Sequence, residues 1–439
     1  MSGRVALAVL GGGLLATTLI LGAVLARPDP LERPAPLVIA IVAALAVYGF
    51  AATLVLRGRP FGRWAFGLVL LVAVTARLVL AVDPPTLSDD AYRYVWDGRV
   101  QAAGINPYRF PPRSLELKQL RDEAIYEQVN RKFAPTIYPP AAQGFFRAAY
   151  VVHPDSIRWT KASLVLVDAV AICLLGLLLV RSGRPPERAL LYAWHPLAIL
   201  EVGHSGHVDV LAVALLLGSL LFTMRGRPIA AGVALAGAAL VKFYALAALV
   251  PLLARGRRFG ALSGGALAGT VALAYLPFLE VGRRVFGYLP GYLTEEGFES
   301  GSRFYLLRAL GAESPAAVLT YELAAAGVLA TLAVAVWRRR GREAESIALL
   351  LLAALALATP AYPWYVLLPL ALLPLAGPRV LLAGSFLAAS AFLLYIERKA
   401  PGHPLWPLHV VWGGTSLALV GGAALSLLRG RAPRIAYES

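Results

Sequence analysis

Apolar residues run along this chain in long blocks, and short basic connectors interrupt them. The blocks lie at 5–26, 36–56, 64–82, 160–180, 188–202, 207–224, 228–241, 243–254, 260–279, 315–337, 344–358, 363–376, 379–396 and 408–428. A full bilayer crossing needs about 20 residues, so the longer blocks predict spanning helices and the shorter ones predict broken or re-entrant helices. The expected fold is an all-α polytopic membrane protein of about 12–14 transmembrane or re-entrant helices. No internal repeat or soluble domain interrupts it, so residues 1–439 read as one membrane domain.

Composition supports this pattern: 59% of residues are hydrophobic, only 15% are charged, and the mean hydropathy is +0.68. The net charge of +16 would suit a nucleic-acid binder, but the basic residues are spread over connectors rather than gathered in one patch. The clusters are Arg57, Arg59 and Arg63; Arg181, Arg184 and Arg188; Arg225 and Arg227; Arg255, Arg257 and Arg258; Arg338, Arg339, Arg340 and Arg342; Arg379; and Arg429, Arg431 and Arg434. All fall on one face, with Glu187 and Glu343 the acids among them, and the excess of arginine marks that face as cytoplasmic. Residues 228–254 carry basic clusters on both sides, so they must cross an even number of times. Two half-helices meeting near Lys242 satisfy that requirement. The first block could also be a signal peptide cleaved after Ala26; an uncleaved helix is the expectation, and both leave the topology the same. The single cysteine, Cys173, lies in an apolar run and excludes an intrachain disulfide.

On the opposite face lie 83–159, 280–314 and 397–407, which are aromatic and mixed in charge. The first is long enough to have a task, and residues 114–132 read as an amphipathic helix within it. Its densest polar run is Ser88-Asp89-Asp90-Ala91-Tyr92-Arg93-Tyr94-Val95-Trp96-Asp97-Gly98-Arg99. Paired acids followed by aromatics suit a general base beside a sugar-binding surface, although Ser-Asp-Asp is equally an ordinary helix start. Gly104-Ile105-Asn106-Pro107-Tyr108 and Thr136-Ile137-Tyr138-Pro139-Pro140 are rigid aromatic turns.

Beyond this loop, Glu201-Val202-Gly203-His204-Ser205-Gly206-His207-Val208-Asp209 places polar groups between two apolar blocks. The spacing of His204, His207 and Asp209 permits a metal, but with no second cluster the preferred role is hydrogen bonding to a hydroxylated substrate or phosphate. No cofactor is expected, a divalent metal being the unfavoured alternative. Lys242 at the half-helix junction, and Arg303 in Gly301-Ser302-Arg303-Phe304-Tyr305, could meet a lipid phosphate; a snorkelling lysine is the plainer reading of the first. Tyr362 and Trp364, in Thr359-Pro360-Ala361-Tyr362-Pro363-Trp364-Tyr365, suit either an interfacial aromatic belt or a binding wall.

With these motifs the chain resembles the GT-C superfamily of membrane glycosyltransferases, and most of all bacterial polyprenol-phosphomannose-dependent mannosyltransferases. Asp90-Ala91-Tyr92-Arg93-Tyr94 running into Trp96-Asp97-Gly98, Asn106-Pro107-Tyr108 and Tyr138-Pro139-Pro140 carry the resemblance. The His204–Asp209 segment, Lys242 and the Pro360–Tyr365 turn support it. The family usually places its acid after the first span, whereas three spans precede it here; the parity is the same.

The resemblance implies that Asp90, with Asp89 beside it, is the base. It implies a sugar-binding role for Tyr92, Arg93, Trp96, Asp97, Tyr138, His204, His207, Asp209, Tyr362 and Trp364, and donor-phosphate contacts from Lys242 and Arg303. The implied reaction is a single inverting displacement, moving a sugar, mannose first among the candidates, from polyprenyl phosphate to a lipid or glycan hydroxyl outside the cytoplasm of a bacterial cell. The partners would be that donor, the acceptor and membrane lipids. A transporter or flippase is the alternative, and it predicts repeated halves and charges deep in the spans.

Overall fold

The computed structural model describes residues 3–27, 29–58, 61–62, 64–339, 341–399 and 404–430. Arg59, Arg63, Arg340, Arg431 and Arg434 of the basic connectors, and part of the 397–407 segment, lie outside the described residues. Among those described, the regular structure is helical with no strand. Lipid leaves the backbone no water to bond with, and a helix satisfies its own groups.

Among the described residues six helices are long and apolar enough to cross a membrane: Gly3–Leu25, Ala35–Leu56, Ile157–Arg181, Arg257–Glu295, Pro315–Arg338 and Pro378–Lys399. Shorter apolar helices occupy Ala65–Ala81, Asp209–Met224, Pro228–Ala239, Phe243–Leu253 and Pro363–Leu375. The protein is an all-α polytopic membrane protein. We label Gly3–Leu25 α1, Ala35–Leu56 α2, Ala65–Ala81 α3, Asp90–Ala102 α4, Pro140–Val152 α5 and Ile157–Arg181 α6. The 188–202 block is not one helix. His195 and Pro196 break it, and it ends in a widened π turn over Leu200–His204.

The expected amphipathic helix at 114–132 does not form. Two short 3-10 turns, Leu115–Leu120 and Tyr126–Gln128, take its place. The Asp122 carboxylate accepts from the backbone N–H of Ile125 (3.0 Å) and Tyr126 (2.9 Å), while Arg99 takes the Leu120 carbonyl at 2.7 Å. These side chains capture backbone groups that a helix would need. The amphipathic helix of the segment is instead α5. It lies so close to α4 that a Cβ at Gly98 would stand 2.6 Å from the Phe146 carbonyl oxygen. Val95, Trp96, Val100, Leu117, Ile125 and Val129 form a separate small core, so the segment is a folded cap.

Among the described residues, the connectors around Arg184, Arg255 and Glu343 lie at one end of the bundle. Arg184 and Arg188 donate to the Pro374 carbonyl at 2.9 and 2.7 Å, and Arg255 pairs with Glu343 at 2.8 Å. The helix Glu343–Ala358 starts there and climbs about 24 Å at 1.5 Å per residue, ending at the cavity described below.

Between the two ends, Arg77 of α3 and Asp168 of α6 form an ion pair with no solvent exposure. Arg77 also donates to the carbonyls of Ala73 (3.0 Å) and Ala193 (2.8 Å), and the Tyr192 hydroxyl donates to Asp168. Breaking a buried pair leaves a bare charge and costs about 3–5 kcal/mol, whereas replacing both partners by apolar groups can be nearly neutral. Asp168→Asn is therefore expected to lower the thermal midpoint in detergent sharply, and Arg77→Met with Asp168→Leu to restore much of it. Equal midpoints for the parent and Asp168→Asn would contradict this account.

Candidate functional site

The segment Pro85–Ser88 that follows α3, the C-terminal end of the helix Glu343–Ala358, the cap, and the junction at Lys242 border a cavity of about 800 Å³, a size suited to a small ligand. Its wall includes Asp89, Asp90, Tyr92, Arg93, Tyr138, Lys242, Arg303, Tyr362 and Trp364. Nine of the residues singled out in the sequence thus converge on one space from two loops and two helix junctions.

Asp90 opens α4, directly after Asp89. The Asn130 side-chain amide donates to both carboxylates, to Asp89 Oδ1 at 2.7 Å and Asp90 Oδ1 at 2.9 Å. One amide from the cap thus ties two like charges together. Solvent reaches Asp89 from the cavity mouth, yet crowding by protein, and then the neighbouring Asp90 charge, raise its pKa above the usual carboxylate value. The contact from Asn130 works the other way and restrains that rise.

Lys242 stands where the backbone opens between Pro228–Ala239 and the 3-10 turn Phe243–Ala248. This is the hairpin junction anticipated for residues 228–254. Its ammonium lies 3.0 Å from Asp209 Oδ2 and 5.7 Å from the ring centres of both Tyr138 and Tyr365. The Tyr244 hydroxyl donates to the other Asp209 oxygen at 2.9 Å. Asp209 therefore lies behind the wall as the counter-ion of Lys242.

Six expectations need correction, and two of them are the substrate contacts of His207 and Asp209, which are fully buried and do not line the cavity. Trp96 does not face the cavity; it is 1% exposed in the core of the cap, with its ring 5.3 Å from that of Tyr126. Asp97 is also inside the cap, accepting from Arg93 Nε (2.9 Å), Gln143 Nε2 (2.9 Å) and the Thr136 hydroxyl. Helical facing does not separate them, since Asp97 follows Asp90 by seven residues and Trp96 follows Tyr92 by four; both lie one to two turns further along α4, where the helix runs under the cap. Arg303 reaches the wall but is held by Glu296 (2.7 Å) and the Ala358 carbonyl (2.9 Å) while stacked on Phe298, so it is not a free cation. His204 is buried away from the wall, its Nε2 3.0 Å from both the Thr86 amide nitrogen and the Thr86 hydroxyl.

His207 lies behind Asp90 and stacks on Trp364 at 4.0 Å. Gly206 makes this turn possible, with φ of +68° and no room for a Cβ, which would stand 2.8 Å from the Lys161 side chain. Among the described residues no three His, Cys, Asp or Glu side chains are grouped to hold a metal ion.

Asn130, Tyr244, Arg131 and Glu201 were missed in the sequence. Glu201 carried a signal, a carboxylate within an apolar block. Asn130 carried none, because its reach to Asp89 and Asp90 spans some forty residues. Arg131, with φ of +43°, is held by Glu295 at 2.8 Å and lies 3.4 Å from the Tyr362 hydroxyl.

Residues 4–255 match the family model described as "Alpha-(1->6)-mannopyranosyltransferase, N-terminal domain". No curated protein matches the chain.

Asn130→Ala removes an influence that lowers the Asp89 pKa. A protonated carboxyl reacts with carbodiimide and an ionised one does not, so modification of Asp89 should persist to higher pH in the variant. Mass spectrometry of the labelled peptide reads the shift; identical profiles would show that Asn130 does not govern this carboxyl.

Proposed function

From its place in the alpha-(1->6)-mannopyranosyltransferase family, to which the chain belongs, we propose that this membrane mannosyltransferase takes mannose from a polyprenyl-phosphate donor. The acceptor is a hydroxyl of a lipid or glycan, and transfer occurs at the extracytoplasmic face of a bacterial plasma membrane. The observation that carries this reading is that a carboxylate pair and a caged ammonium, Asp90 with Asp89 and Lys242, line one cavity. The arginine-rich connectors gather at the far end of the bundle, and the positive-inside rule makes that end cytoplasmic.

In the proposed reaction Asp90 accepts the proton of the acceptor hydroxyl as its oxygen attacks the anomeric carbon. The bond from that carbon to the phosphate oxygen breaks, and the electron pair leaves with polyprenyl phosphate. One displacement inverts the anomeric centre. Lys242 offsets the charge that grows on the departing phosphate, an interaction strongest in the transition state. Asp209 and Tyr244 hold the ammonium in place, and Tyr138 with the stacked Tyr362 and Trp364 (4.3 Å) forms the aromatic wall along which the sugar and the prenyl phosphate lie. Arg303 supports the second loop through Glu296. No step is assigned to a metal.

The test supplies purified protein in lipid with labelled polyprenyl-phosphate mannose. Asp90→Asn should lower kcat by about 10²–10⁴-fold, the usual contribution of a positioned base. Lys242→Met should lower kcat/KM for the donor, and EDTA should leave the parent rate unchanged. A parent-like rate for Asp90→Asn, or transfer from a nucleotide sugar without polyprenyl phosphate, would overturn the reading. Movement of the labelled lipid across the bilayer without transfer would favour a flippase.

A further inference from the structure

Glu201 has no part in the reaction described so far, and its placement is costly. It is fully buried in the π turn Leu200–His204, and a carboxylate taken out of water is retained only with partners. The Tyr395 hydroxyl lies 3.0 Å from both of its oxygens, and His207 Nδ1 stands 2.8 Å from Oε2. His207 is itself fully buried. Its other ring nitrogen, Nε2, lies 3.2 Å from the Ser88 hydroxyl and 3.9 Å from Asp90 Oδ2. Ser88 also accepts the backbone N–H of Asp90 at 3.3 Å. A line of polar groups thus runs from the protein interior to the cavity carboxylate.

We propose that Glu201 and His207 are positioning residues for Asp90 and form the route by which its acquired proton is held. The inference rests on the reading of Asp90 as the base. Opposite charge favours the ring hydrogen on Nδ1, 2.8 Å from Glu201 Oε2, although the two are not aligned as a hydrogen bond; the Nε2 lone pair then faces Ser88 and Asp90. When Asp90 has taken the acceptor's proton, that proton passes through one bridging water to Nε2, 3.9 Å from Asp90 Oδ2, and Asp90 returns to its ionised form. The imidazole becomes an imidazolium whose charge Glu201 neutralises, and the proton leaves to cavity water when the product departs. Trp364, stacked on the ring, keeps the imidazole plane in register with both carboxylates. The π turn is the backbone device behind this geometry: it widens the helix so that the amide of His207 bonds the Glu201 carbonyl at 2.9 Å, which sets the two side chains side by side.

The test uses the full-length protein in lipid with polyprenyl-phosphate mannose. Glu201→Gln keeps size and removes charge. It should lower kcat by about 100-fold, as loss of proton handling does, with both KM values within about twofold of the parent because no substrate contact is lost. Glu201→Asp, which restores the charge, should recover a large part of kcat. A parental kcat in Glu201→Gln would overturn the proposal. So would an equal loss in Glu201→Gln and Glu201→Asp accompanied by raised KM, since that pattern marks packing alone. If Glu201→Gln does not yield folded protein, His207→Gln carries the same test: kcat reduced at constant KM supports the proposal, and a parental kcat overturns it. A parent protein unable to transfer mannose would overturn the reading of Asp90 and this inference with it. A working parent with an indifferent Glu201→Gln overturns this inference alone.

Discussion

A charge carried into a helix bundle that lies in hydrocarbon must bring its counter-charge with it, and most of the polar architecture here follows from that constraint. Arg77 meets Asp168, Lys242 meets Asp209, and His207 meets Glu201. The first two pairs draw their members from different segments and so fix how those segments sit against one another, whereas His207 and Glu201 share one turn. The first lies wholly within packed helices, the second reaches the cavity through Lys242, and the third lies behind the wall. The same rule that stabilises the bundle therefore prepares its reactive end: a cation next to the cavity arrives already oriented by its partner.

This changes how the cationic side of the site is read. A sequence shows Lys242 and Arg303 as isolated positive residues in apolar or aromatic surroundings, each a natural phosphate ligand. The structure shows two different situations. Lys242 keeps one carboxylate neighbour and two aromatic faces and still lines the cavity. Arg303 spends its guanidinium on Glu296 and a backbone carbonyl, which makes it a strut.

What could be read from the chain was whatever lipid imposes. The apolar blocks, the basic connectors and the half-helix junction at Lys242 all follow from the cost of exposing polar groups to hydrocarbon, and all reappear in the fold. What could not be read were choices made in water. Residues 114–132 have helical spacing, yet Arg99 and Asp122 capture the backbone groups that helix would use. Trp96 and Asp97 sit close to the candidate base in sequence, yet nearly two turns of α4 carry them about 10 Å along the helix axis into the core of the cap. Asp89 and Asp90 could be proposed from their local pattern, whereas Asn130, their shared partner, is set by tertiary folding alone.

Asn130 and Arg131 are consecutive. One holds the two cavity carboxylates, while the other holds Glu295 of the second loop and reaches toward Tyr362. A single peptide unit therefore separates the anchor of the acids from the latch of the opposite rim. The two sides of the mouth form an interlock, in which displacing the second loop through Glu295 loads the same stretch of backbone that spaces the carboxylates.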